Sequence, residues 1–73
     1  MYSICYKTYK DGDPVTISYD AGQFSQWVVN FRGAGHYFGS PAEATDYAVS
    51  RKFIPVGMID GVIAILNEQE NLR

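Results

Sequence analysis

A chain of 73 residues makes one domain at most, with a thin core, because a chain this short hides only ~60% of the surface that its unfolded form exposes. With 47% hydrophobic, 15% aromatic and 19% charged residues, the composition is that of a globule and excludes an intrinsically disordered chain. The formal net charge of -2 has the wrong sign for a broad phosphate-binding face, so direct nucleic-acid binding is disfavoured.

The first residues lack the basic stretch and long apolar run of a secretory leader, and no segment approaches the ~20 apolar residues of a membrane span. A cytoplasmic setting without membrane contact is expected. Tyr2, Ile4, Tyr6 and Thr8 alternate with Ser3, Cys5, Lys7 and Tyr9, the two-residue period of a strand over 2–10. Cys5 is the only cysteine, so neither an internal disulfide nor a thiolate zinc cluster can form. Asp11-Gly12 supplies the positive φ that a two-residue hairpin demands. Val15, Ile17 and Tyr19 then alternate with Thr16 and Ser18 on the return strand, and Pro14, having no N–H, suits the start of an edge strand.

After the break at Asp20-Ala21-Gly22, residues 24–32 fit two templates. Phe24, Trp27, Val28 and Phe31 share a helical face, whereas Trp27, Val29 and Phe31 share a strand face. Aromatic and β-branched enrichment, with Gly33-Ala34-Gly35 leading into His36-Tyr37-Phe38, favours a second hairpin. Ser40-Pro41-Ala42-Glu43 then starts a helix over 41–53: Ser40 caps the Glu43 N–H, Glu43 reaches back, and Pro41 occupies a position where its missing N–H costs nothing. Its buried stripe is expected to be Ala44, Tyr47, Ala48 and the Arg51 stem, with Thr45 and Asp46 facing away. Arg51 and Lys52 complement the helix dipole, and Pro55 stops the helix.

The tail from Ile54 is again two-sided. Val56, Ile59, Ile63 and Leu66 have helical spacing, but Asp60-Gly61 between apolar runs is a hairpin signal, and two glycines within five residues each cost a helix ~1 kcal/mol. A hairpin is expected, with a helix over 60–71 as the alternative. The fold class is therefore α+β: a small antiparallel sheet built from hairpins, with one helix packed on a face and a last segment that is a hairpin or a second helix.

Catalysis finds little material here. His36 is the only histidine, and Ser40, the serine nearest to it in sequence after the glycine-rich turn, already has a capping role without any nucleophile elbow. Cys5 as a nucleophile would need His36 beside it. Asp11, Asp13 and Asp20 lie in or beside turns, where Asp bonds local backbone, and Asp11-Gly12-Asp13 lacks the remaining acids of a calcium loop. No metal and no cofactor are expected. Arg32, His36 and Ser40 form a weak anion-site candidate around the glycines and the helix start, although the spacing is neither a dinucleotide fingerprint nor a P-loop.

Six tyrosines exceed what a thin core can hold with every phenol paired, so some should lie outside. Tyr9 and Tyr37, with Trp27, are the candidate anchors of an interface, and Asp11 and Asp13 its candidate acids. The functional expectation is a small non-enzymatic protein that docks on a larger protein or protein–nucleic acid complex and modulates it, as a phage-type inhibitor of a nucleic-acid-handling complex would. Two alternatives remain: a homo-oligomeric module, and a small-ligand or anion-binding domain.

Overall fold

Two tight turns set the sheet. Asp11 (φ 53°) and Gly12 (φ 84°), and again Arg32 (φ 51°) and Gly33 (φ 80°), pair consecutive positive φ values, the type I′ geometry whose twist suits the flanking strands. The computed structural model describes residues 2–21 and 26–71. Its strands are β1 (Tyr2–Lys10), β2 (Asp13–Asp20), β3 (Gln26–Phe31) and β4 (Ala34–Phe38), forming one antiparallel sheet in the order β1-β2-β3-β4. The second turn falls on Arg32-Gly33, ahead of the expected Gly33-Ala34-Gly35, so β4 begins earlier than His36. Strand formation was expected from Phe24, which lies outside the described residues; β3 is strand from Gln26.

Register decides which side chains meet. Ser3, Tyr19, Trp27 and Phe38 form one cross-sheet row, Tyr6, Ile17, Val29 and His36 the next, and Thr8, Val15, Phe31 and Ala34 a third. These rows face both helices, and Val15, Ile17, Trp27 and Val29 make the sheet's share of the core. Trp27, expected as an interface anchor, is 2% exposed and belongs to this core. Its strand parity aligns it with Val29 and Phe31 under the helices, where its large ring fills space that no smaller residue could.

The first helix, α1 (Pro41–Ser50), begins as its sequence dictates. The Glu43 N–H donates to Ser40 Oγ at 3.2 Å, while Glu43 Oε2 accepts from the Gly39 N–H at 3.1 Å and from the Ser40 hydroxyl at 3.3 Å. It ends three residues short of 53. Lys52 takes φ 62°, the Lys52 N–H donates to the Val49 carbonyl at 2.9 Å and the Phe53 N–H to the Ala48 carbonyl at 2.8 Å. That is a Schellman stop with lysine where glycine is usual. Ala44 and Ala48 are buried as expected, but Thr45 is buried too and Arg51 is exposed. The buried arc is wider because α1 packs on a second helix as well as on the sheet, and the Thr45 hydroxyl is satisfied at 2.8 Å by the Pro41 carbonyl.

That second helix, α2 (Ile59–Asn71), follows a single 3-10 turn at Val56–Met58. It is the alternative reading of the tail, not the hairpin. Ile59, Val62, Ile63 and Leu66 fall at i, i+3, i+4 and i+7, and Val62 and Leu66 are wholly buried. Burying each contributes ~1.5–3 kcal/mol, more than the ~1 kcal/mol that Gly61 costs the helix, and Gly57 lies outside it. Asp60 sits in the first turn, where a carboxylate is favoured. The result is an α+β fold of two layers, a four-stranded antiparallel sheet with two helices on one face.

Candidate functional site

The helix-free face owes its character to one irregularity. Ile4 pairs with Ser18 but Tyr6 pairs with Ile17, so Cys5 is an extra residue, a β-bulge that reverses the parity of β1. Past the bulge Tyr6 points into the core; before it, Ile4 is turned to the opposite face and is 64% exposed. Ile4, Ser18, Val28 and Tyr37 thereby form one continuous row across all four strands. Ser18 and Val28 are buried at its centre, while Ile4 and Tyr37, the latter 48% exposed, stand at its two ends.

A polar row lies next to it: Lys7, Thr16, Asn30 and Gly35. Gly35 matters there, because a Cβ at that position would meet Asn30 Oδ1 at 2.8 Å, so the glycine leaves the amide its place. Beyond this row stand Tyr9, 61% exposed on β1 with the Lys7 ammonium 5.5 Å from its ring centre, and its partner Pro14. Tyr9 also lines, with Thr8, Val49, Phe53 and Pro55, a groove of about 500 Å³ along the β1 edge. The face thus carries two exposed aromatic rings and one exposed isoleucine on the two edge strands, separated by amide and hydroxyl groups.

The other sequence candidates are dispersed. Asp11 occupies the first I′ turn, and Asp13 is engaged by Arg32, whose Nε donates to Oδ2 at 2.7 Å. Both partners are largely exposed, so the pair is worth ~1 kcal/mol at most. Arg32, His36 and Ser40 do not assemble an anion site: Arg32 is turned to Asp13, the His36 ring lies on Tyr47 with centroids 4.9 Å apart, and Ser40 is bonded to Glu43. The donors at the α1 start are met by Glu43's own carboxylate, so an incoming anion would have to displace it.

Sequence reasoning missed Ile4, because unbroken alternation would place it beside Tyr6, and nothing in residues 2–10 announces a bulge. The Cys5–His36 pair that a thiol nucleophile needs is not formed. Cys5 is on β1 and His36 on β4, opposite edges of the sheet separated by three strand spacings, ~14 Å. Among the described residues no three His, Cys, Asp or Glu side chains cluster as a metal site would require, and no helix is long and apolar enough to cross a membrane.

Compared with protein-family models, curated proteins and solved structures, the chain matches none.

Proposed function

We propose that this protein is a non-enzymatic binding protein that docks the helix-free face of its sheet on a larger macromolecule and modulates it. The reading is carried by Ile4 and Tyr37, exposed at the two ends of a row whose central Ser18 and Val28 are buried, on the face opposite the helices. Exposed tyrosines are favoured anchors, since a large, stiff, amphipathic ring gains contact area at small entropic cost. Tyr9 adds a second ring on the same face, with Lys7 beside it. The two sides of the molecule then divide the labour: the helices close the core, and the exposed edges of the opposite face, at Ile4, Tyr9 and Tyr37, meet the partner. The finer role of an inhibitor that presents acids to a basic channel draws on the net charge of -2, and the paired Asp13 adds nothing to it.

Affinity capture from the organism that encodes the chain tests the reading, with wild type set against Ile4→Thr/Tyr37→Ser and Tyr9→Ser variants. A specific macromolecule retained by wild type and lost by the variants is the expected result. Light scattering at micromolar concentration runs beside it. A dimer dissolved by the same substitutions would transfer the face to the homo-oligomeric alternative, and equal recovery by wild type and variants would remove the docking role from this face.

A further inference from the structure

On the opposite side of the molecule from the docking face, the tip of the β1–β2 hairpin and the end of α1 enclose a groove of about 270 Å³ lined by Lys10, Phe31, Ser50, Arg51, Lys52 and Phe53. It holds no acidic residue and three of the chain's six Lys and Arg, so cationic charge is concentrated there in a protein whose net charge is -2. Among the described residues none of Lys10, Arg51 and Lys52 forms an ion pair. The Lys10 ammonium lies 6.0 Å from the Phe53 ring centre, and the Arg51 guanidinium 6.0 Å from that of Tyr47, contacts that leave their N–H donors unspent.

The ordinary explanation for cations at a helix C-terminus is that they satisfy its last carbonyls. Here other donors do so. The Tyr47 carbonyl accepts from the Arg51 N–H at 3.0 Å and from the Ser50 hydroxyl at 2.7 Å, that of Val49 from the Lys52 N–H, and that of Ala48 from the Phe53 N–H. The dipole attraction that remains is worth ~0.3–1 kcal/mol for each exposed cation, and it does not account for Lys10, which arrives from the sheet. Asp13, opposite Lys10 in the hairpin, is engaged by Arg32 and offsets only part of this charge, so an anion entering the groove relieves the repulsion among the three cations.

We infer that this groove binds the phosphate group of a small phosphate monoester. A carboxylate is matched by a single guanidinium, whereas three cations from two elements match the nearly two negative charges and three terminal oxygens of a phosphate monoester. The organic part has a place as well. A narrower cleft of about 70 Å³ shares Phe31, Arg51 and Phe53 with the groove and adds the mutually tilted rings of His36 and Tyr47, an aromatic flank beside the cationic pocket. Lys52 and Phe53 also line the groove beside Tyr9, but the exposed side chains of the docking face, Ile4, Tyr9 and Tyr37, are not part of this site, so neither proposal depends on the other.

Amide-resolved NMR titration of the full chain tests it, with adenosine monophosphate, ribose 5-phosphate and inorganic phosphate as probes. Saturable shifts confined to Lys10 and residues 50–53 are expected, with the affinity reduced about tenfold or more in Lys10→Gln and in Arg51→Gln/Lys52→Gln, as lost charge-assisted hydrogen bonds imply. Lys7→Gln, on the other face, should bind as wild type does. Tighter binding of adenosine monophosphate than of ribose 5-phosphate places a ring in the aromatic cleft; equal binding of all three assigns the groove to phosphate alone. The proposal is overturned if none of the probes gives saturable shifts at about 10 mM, where a millimolar site is filled, or if the charge-removed variants titrate like wild type. Arg51 and Lys52 are exposed and Lys10 is half-buried, and the dispersed indole signal of Trp27 reports in each variant that the fold is kept.

Discussion

Lys52 stands at φ 62°, where an L side chain crowds its own carbonyl and glycine does not. The strain is tolerated because the Schellman turn it closes satisfies two carbonyls and delivers Phe53 to the core against Phe31, with ring centroids 4.8 Å apart. Lys52→Gly should therefore raise stability by about 0.5–1 kcal/mol in urea unfolding, whereas Lys52→Val should lower it, because a β-branched side chain at positive φ is worse than lysine. Equal midpoints for the glycine and valine variants would mean that the positive φ carries no strain. The same scale explains what residues 40–53 disclose. Ser40 and Glu43 act on their immediate neighbours, so their spacing alone announces the helix start. The end is silent, since lysine at the left-handed position is indistinguishable in sequence from lysine in one more helical turn.

At the scale of elements, the tail shows how burial overrides a turn signal. Asp60-Gly61 between apolar runs is a strong hairpin cue when the local chain is considered alone, yet the stripe of Ile59, Val62, Ile63 and Leu66 finds a core against α1 and β1, and that burial decides. Gly61→Ala separates the two conformations. In α2 a Cβ at Gly61 meets no atom within 4 Å, so alanine should stabilise by about 0.5–1 kcal/mol and raise the helical circular dichroism. In a type I′ turn the same alanine would sit at positive φ and destabilise, so a lowered unfolding midpoint would contradict the helix. The first hairpin was legible because Asp11-Gly12 and the alternation on both sides agree. The second was legible in kind but displaced, because Arg32 is an unusual residue for a positive-φ turn position. The bulge at Cys5 was not legible: it places both Cys5 and Tyr6 against the core, whereas the alternation of residues 2–10 puts them on opposite faces.

Across the whole molecule, the two faces of the sheet carry separate demands, and their aromatic residues can be told apart by what truncation does. Trp27 is 2% exposed and packs at a tilt against Tyr19 with centroids 5.0 Å apart, beneath the helices. Its replacement by alanine should cost about 3–5 kcal/mol. For a chain of this size, whose total stability is on the order of 4–11 kcal/mol, that removes a large share of the folded state's margin. Ile4 and Tyr37 keep 64% and 48% of their exposure in the folded chain, so folding removes much less of them from water. Ile4→Thr/Tyr37→Ser should shift the unfolding free energy by only about 0.5–1 kcal/mol, an amount typical of surface changes. Urea unfolding of both variants checks the contrast directly. A loss in the double variant as large as that of Trp27→Ala would show that the row from Ile4 to Tyr37 holds the fold together, and the docking role proposed for it would lose its physical basis. A near-neutral double variant leaves two exposed side chains at opposite edges of one sheet that contribute little to folding, an arrangement available to contact with a partner.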